Sequence, residues 1–99
     1  MLDREFFLGF IRIHILYHAS KEPIYGSQIL EELGRHGYHL SPGTLYPALH
    51  RLAKEGYLEV SSKLVGGKIR KYYRATDEGR RMLEESRAKI RELMKEVLE

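Results

Sequence analysis

The chain has 99 residues, 42% of them hydrophobic and 31% charged, which separates it from disordered segments and allows one modest core. Its net charge of +3 is unevenly spread: residues 41–75 carry seven basic side chains against two acidic ones, and the remainder is net −2, a pattern suited to phosphate or to a solvated charged face. Absence of cysteine excludes disulfides and thiolate metal sites, while Met1-Leu2-Asp3-Arg4-Glu5 has no signal-peptide pattern and no apolar run nears a bilayer span, so a cytoplasmic protein without membrane contact is expected.

Phe6 to Tyr17 predicts a first helix that is apolar nearly all round. One stripe joins Phe7, Ile11 and either His14 or Ile15; a second joins Phe6, Phe10, Ile13 and Tyr17. One side can pack on its own domain, and the other then needs a partner. Pro23 breaks this helix, and a second amphipathic helix with Ile29, Leu30 and Leu33 inward stops at Gly34 or Gly37.

Ser41-Pro42 is a helix start, with Ser as N-cap and Pro where a missing N–H is harmless. Leu45, Leu49 and Leu52 form its core stripe, and Gly56 ends it. Pro47 conflicts with the carbonyl of Gly43, so a distorted first turn, or a later start capped by Thr44, is expected. From Leu58 the period changes to two, with Leu58, Val60, Ser62 and Leu64 on one face of a strand. Gly66-Gly67 is a hairpin turn, Ile69 to Ala75 the return strand, and Thr76 the cap of a last helix. There Leu83, Ser86, Ile90, Leu93 and Val97 repeat at 3-4 spacing, widened by Met82, Met94 and Leu98, as in a seam between helices.

Three helices, a basic hairpin and a last helix make an α+β, mostly α, winged helix-turn-helix order. A DNA-binding part over 1–75 and a C-terminal dimerisation helix over 76–99, together one compact unit, are expected. The run Ser41-Pro42-Gly43-Thr44-Leu45-Tyr46-Pro47-Ala48-Leu49-His50-Arg51-Leu52, with Glu55-Gly56-Tyr57-Leu58, closely resembles the recognition-helix signature of the PadR family of transcriptional regulators. Lys71-Tyr72-Tyr73-Arg74-Ala75-Thr76 with Glu78-Gly79, and Ile24-Tyr25-Gly26, are similar to that family's second wing strand and second-helix start, although Ser27 stands where a Tyr is common. The resemblance implies a repressor that dimerises through its first and last helices, binds an inverted repeat and, in many members, releases DNA on binding a small molecule. Short members that sandwich flat aromatic compounds use a Trp in the dimer interface, and this chain has none.

Candidate DNA contacts are Ser41, Gly43, Thr44, Tyr46, Pro47, His50, Arg51 and Lys54 on the third helix, and Lys63, Lys68, Arg70, Lys71 and Tyr72 on the hairpin. Tyr72 and Tyr73 point to opposite faces, so one is core and the other available, and the pattern leaves open which. Candidate dimer contacts are Phe6, Phe10, Ile13, Tyr17, Leu83, Ile90, Leu93, Met94 and Val97. His14 and His18 stand four apart with His36 and His39 beyond; without a nearby carboxylate or cysteine no metal site is expected. No nucleophile–base set or phosphate loop is present, so an enzyme and a cofactor are not expected. Two further readings are a regulator centred on a small-molecule cavity between subunits, and a protein–protein adaptor without DNA.

Overall fold

The computed structural model describes residues 3–99; Met1 and Leu2, part of the opening stretch read above, lie outside them. The order is α1 (Arg4–Lys21), α2 (Gly26–Arg35), α3 (Pro42–Lys54), β1 (Leu58–Val65), β2 (Lys68–Ala75) and α4 (Asp77–Val97). This is a winged helix-turn-helix fold, mostly helical, with a two-stranded antiparallel wing. No helix among the described residues is long and apolar enough to cross a membrane.

The first helix is longer at both ends than its apolar core. Asp3 caps it by accepting from the Glu5 N–H at 2.7 Å, and it ends where Glu22, preceding Pro23, turns extended. Ile11, Ile15, Leu16 and Ala19 face its own core, so Ile15 rather than His14 continues the inner stripe. After Glu22 the chain runs beside β2: Ile24 and Tyr73 exchange both backbone hydrogen bonds, at 2.9 and 2.7 Å. That pairing ties the start of α2 to the wing.

Both α2 and α3 end in the same closure. Gly37 and Gly56 take φ of +86° and +88°, values that a side chain disfavours. Beyond them the Tyr38 N–H reaches the Leu33 carbonyl, and the Tyr57 N–H reaches that of Leu52, each at 2.9 Å. These Schellman turns fix both exits of the helix pair. Despite Pro47, α3 is continuous from Pro42, so the later start at Thr44 is not found, and in its first turn the Ser41 carbonyl accepts from both the Thr44 and Leu45 N–H groups. The Pro47 ring still removes the N–H that the Gly43 carbonyl would normally accept.

The core collects Ile11, Ile15, Ile24, Ile29, Leu33, Leu45, Leu49, Leu52, Leu58, Tyr73 and Leu83, with no buried charged group among the described residues. The wing departs from the expected half-buried strand. In β1 only Leu58 is buried, whereas Val60 is 43% and Leu64 75% exposed. Alternation is present, but the core lies beneath the base of the hairpin alone. At the root of α4 the Thr76 hydroxyl accepts from the Gly79 N–H at 3.0 Å and donates to the Gly56 carbonyl at 2.5 Å. A Cβ on Gly79 would stand 2.1 Å from the Tyr57 carbonyl oxygen, so this approach requires glycine.

Candidate nucleic-acid interface

Burial of Leu45, Leu49 and Leu52 orients α3 and turns its other side outward. Gly43, Tyr46, Pro47, His50, Arg51 and Lys54 are exposed, and Thr44 is half-buried. The Ser41 carbonyl accepts from the N–H groups of Thr44 and Leu45 at 3.0 and 3.1 Å, while its hydroxyl makes no capping bond and lies 3.4 Å from that of Thr44. Ser41 is therefore the N-cap through its backbone only. Arg51 is partly neutralised by Glu55, which also holds Arg12 of α1 at 3.0 Å.

Tyr46 takes a position that the sequence does not disclose. Its hydroxyl end lies over Gly26, where a Cβ would come within 2.1 Å of the oxygen. The ring thus leans on the start of α2 and stays 38% exposed. An open groove of about 470 Å³ continues from Tyr46 and His50 past Gly26 to Lys68, Arg70 and Lys71 of the wing. Tyr73 closes its floor; burial, with Tyr46 nearby, pushes its phenol above the ordinary tyrosine range.

Gly66 and Gly67, at φ of +57° and +79°, supply the two positive values that a two-residue hairpin turn of type I′ needs. The register that follows pairs Ser61 with Tyr72, Lys63 with Arg70 and Val65 with Lys68. Lys63, Lys68, Arg70 and Tyr72 therefore share one face, and Lys71 lies on the other with Tyr73. Tyr73 is the core tyrosine and Tyr72 the outer one, which resolves the choice left open above. Tyr25 stands edge-on to Tyr72 at 5.5 Å, Arg70 stacks 4.1 Å over Tyr25, and Lys63 sits 5.2 Å over Tyr72. Arg70 is thereby held, whereas Lys68 at the turn is exposed.

Residues 15–85 match the model of the transcriptional regulator PadR-like family, from within α1 into α4 and across the whole of α3 and the wing. The chain belongs to this family. It is 48% identical over 95 residues to the transcriptional regulator Rv3488 of Mycobacterium tuberculosis, covering 96% of this chain and 89% of that protein. A PadR-like transcription factor from Bacteroides fragilis superposes with a TM-score of 0.85 at 33% identity, over 94% of this chain and 91% of the other. A PadR family transcriptional regulator from Eggerthella lenta does so at 0.82 and 38%, over 90% and 79%. Membership places the chain among transcriptional regulators rather than enzymes.

Outside the core and the wing, this PadR-like chain exposes two apolar rows among the described residues. Phe6, Phe10 and Tyr17 are 67%, 45% and 37% exposed on α1, while Ile13, between them, is partly buried. On α4, Ile90, Leu93, Met94, Val97 and Leu98 are exposed from 39% to 72%. Leu83, grouped above with the seam, is instead only 4% exposed and belongs to the core of its own chain. Helical spacing alone cannot make that distinction: α4 packs on α1, and only Gly79 and Leu83, in its first turns, are buried.

The histidines are also brought together. His14 lies 5.3 Å from His36 and 6.4 Å from His18, ring centre to ring centre, and Glu32 of α2 reaches His36 at 3.6 Å. Burial, then the neighbouring histidines, holds His14 below the ordinary histidine range; burial does the same for His18.

Proposed function

We propose that this PadR-like regulator is a sequence-specific DNA-binding repressor that acts as a homodimer on an inverted-repeat operator. The observation that carries the reading is the outward side of α3, free of core duty and continued by the groove into a cationic wing. An α-helix fits the major groove, where Thr44, Tyr46 and His50 can reach base edges, while Gly43 and Pro47 permit close approach. Lys54, Lys63 and Lys68 face the phosphates, Arg70 adds its charge to the same wing face from its stack on Tyr25, and Lys71 lines the groove side, with Tyr72 as the outer wing aromatic and Arg51 shared with Glu55. So few base-reading groups imply that DNA shape adds to specificity.

The exposed rows of α1 and α4 supply the subunit contact, and a two-fold dimer would set two reading helices about 34 Å apart, one turn of duplex. Selection of bound sequences from random DNA tests the whole reading, with a two-fold repeat at about ten base pairs between half-site centres as the expected result. Tyr46→Ala should then cost more on the selected site than on random DNA, by about 1–3 kcal/mol of discrimination. Equal loss on both, or sites without a repeat, would remove Tyr46 or the dimer from the reading.

A further inference from the structure

We infer that His18, Glu32 and His36 form a binding site for a divalent late first-row transition-metal ion, with the His14 ring packed beside it. One ligand atom from each of the three lies within 4.8 Å of the other two, and this is the group of such residues that comes together among the described residues. Ligand atoms on a four-coordinate zinc at about 2.0–2.1 Å stand roughly 3.4 Å apart, a distance that small side-chain rotations reach from here. His18 and Glu32 are half-buried and His36 is exposed, so an ion could enter from solvent and keep a water ligand.

The donor set has a chemical preference. Two imidazoles with one carboxylate suit zinc, nickel, cobalt or copper, whereas calcium and magnesium prefer all-oxygen sites. The arrangement also supplies a fixed frame. Glu32 and His36 stand one helical turn apart at the end of α2, where the Schellman closure at Gly37 holds the backbone. The second oxygen of Glu32 is held by Arg35, which orients the carboxylate as outer partners of metal ligands commonly do. His14 and His18 lie one turn apart on α1, and His14 packs edge-on to Tyr38 at 5.2 Å. A bound ion would therefore staple α1 to α2 through side chains the core does not use.

Titration calorimetry of the full chain, stripped with a chelator, measures the site directly with zinc chloride as the probe. One zinc per chain is expected. His18→Gln, Glu32→Gln and His36→Gln should each weaken binding by about tenfold or more, His14→Gln less, and the exposed His39→Gln not at all. Cobalt(II) should give a visible absorption band that the three variants lose, and zinc should raise the Tm of the wild type but not of those variants. Far-UV circular dichroism checks that each variant is folded. Absence of binding at micromolar zinc, or the same affinity in wild type and all three variants, overturns the site. The zinc titration uses no DNA, so its failure leaves the DNA-binding reading intact.

Discussion

The wing and the last helix each begin in the core and end in solvent, yet they carry different surfaces outward. Along the wing, Leu58, Tyr73 and Ala75 are buried at the base, and beyond them one face carries Lys63, Lys68 and Arg70. Along α4, Gly79 and Leu83 are buried, and the exposed half continues with an apolar row from Ile90 to Leu98. Flexible cations on a projecting ribbon attract a polyanion. Apolar side chains recurring at helical spacing on one stripe are covered by another apolar surface, here a second copy of the chain in the proposed dimer. The difference teaches that exposure alone carries no functional meaning; what is exposed, and at what repeat, separates the proposed nucleic-acid arm from the proposed assembly arm.

The largest effect that could break this comparison is on assembly. Ile90→Asp combined with Leu93→Asp should convert a dimer to a monomer at micromolar concentration, read by light scattering, with helical content retained. A dimer that survives both charges would show that the distal half of α4 is not the contact.

Next in size is the root of α4. Gly79→Ala places a methyl group against the Tyr57 carbonyl, a backbone atom that cannot swing aside. Overpacking of this kind costs about 1–3 kcal/mol, or about 4–8 °C of Tm per kcal/mol in a chain of this size. An unchanged Tm would mean that the helix start has slack.

The wing should respond more gently. Lys68→Gln should lower DNA affinity on specific and random sequences alike, and reduce the salt dependence by roughly one unit. Arg70→Gln should weaken binding without matching that slope change, because Arg70 is stacked on Tyr25. Equal slope changes would place both cations on phosphate. Smallest of all, Leu64→Ser with Ile69→Ser should leave thermal stability within about 0.5 kcal/mol, since this cross-strand pair is 75% and 74% exposed. A clear loss of stability would put the tip of the hairpin against a surface the single chain does not contain.

Much of the architecture is legible in residue order because its signals are local. The 4-3 spacing of Leu45, Leu49 and Leu52, the Gly66-Gly67 turn and the Thr76 cap each depend on a few neighbouring residues, and all three appear in the structure. Features that depend on contacts across the chain are less visible. Gly26 and Tyr46 are twenty residues apart, and nothing in either segment reveals that one makes room for the other. Glu32 joins the histidines only because α2 packs beside α1, so the pair His14 and His18 looks bare in the sequence. Leu83 and Leu93 share one repeat, and only the length of the surface beneath α4 decides that the first is core and the second is not.

The unbroken course of α4 has a consequence for how such a chain can change over generations. Leu83 anchors the helix and the row from Ile90 onward lies on the same rigid rod, so the two are locked in rotational phase. Deleting a single residue between them turns the outer row by about 100° and draws it in by about 1.5 Å, pointing it away from its former direction. Length variation inside this segment is therefore expected near whole multiples of a turn, seven residues being the shortest close match, whereas additions after Leu98 leave the phase untouched.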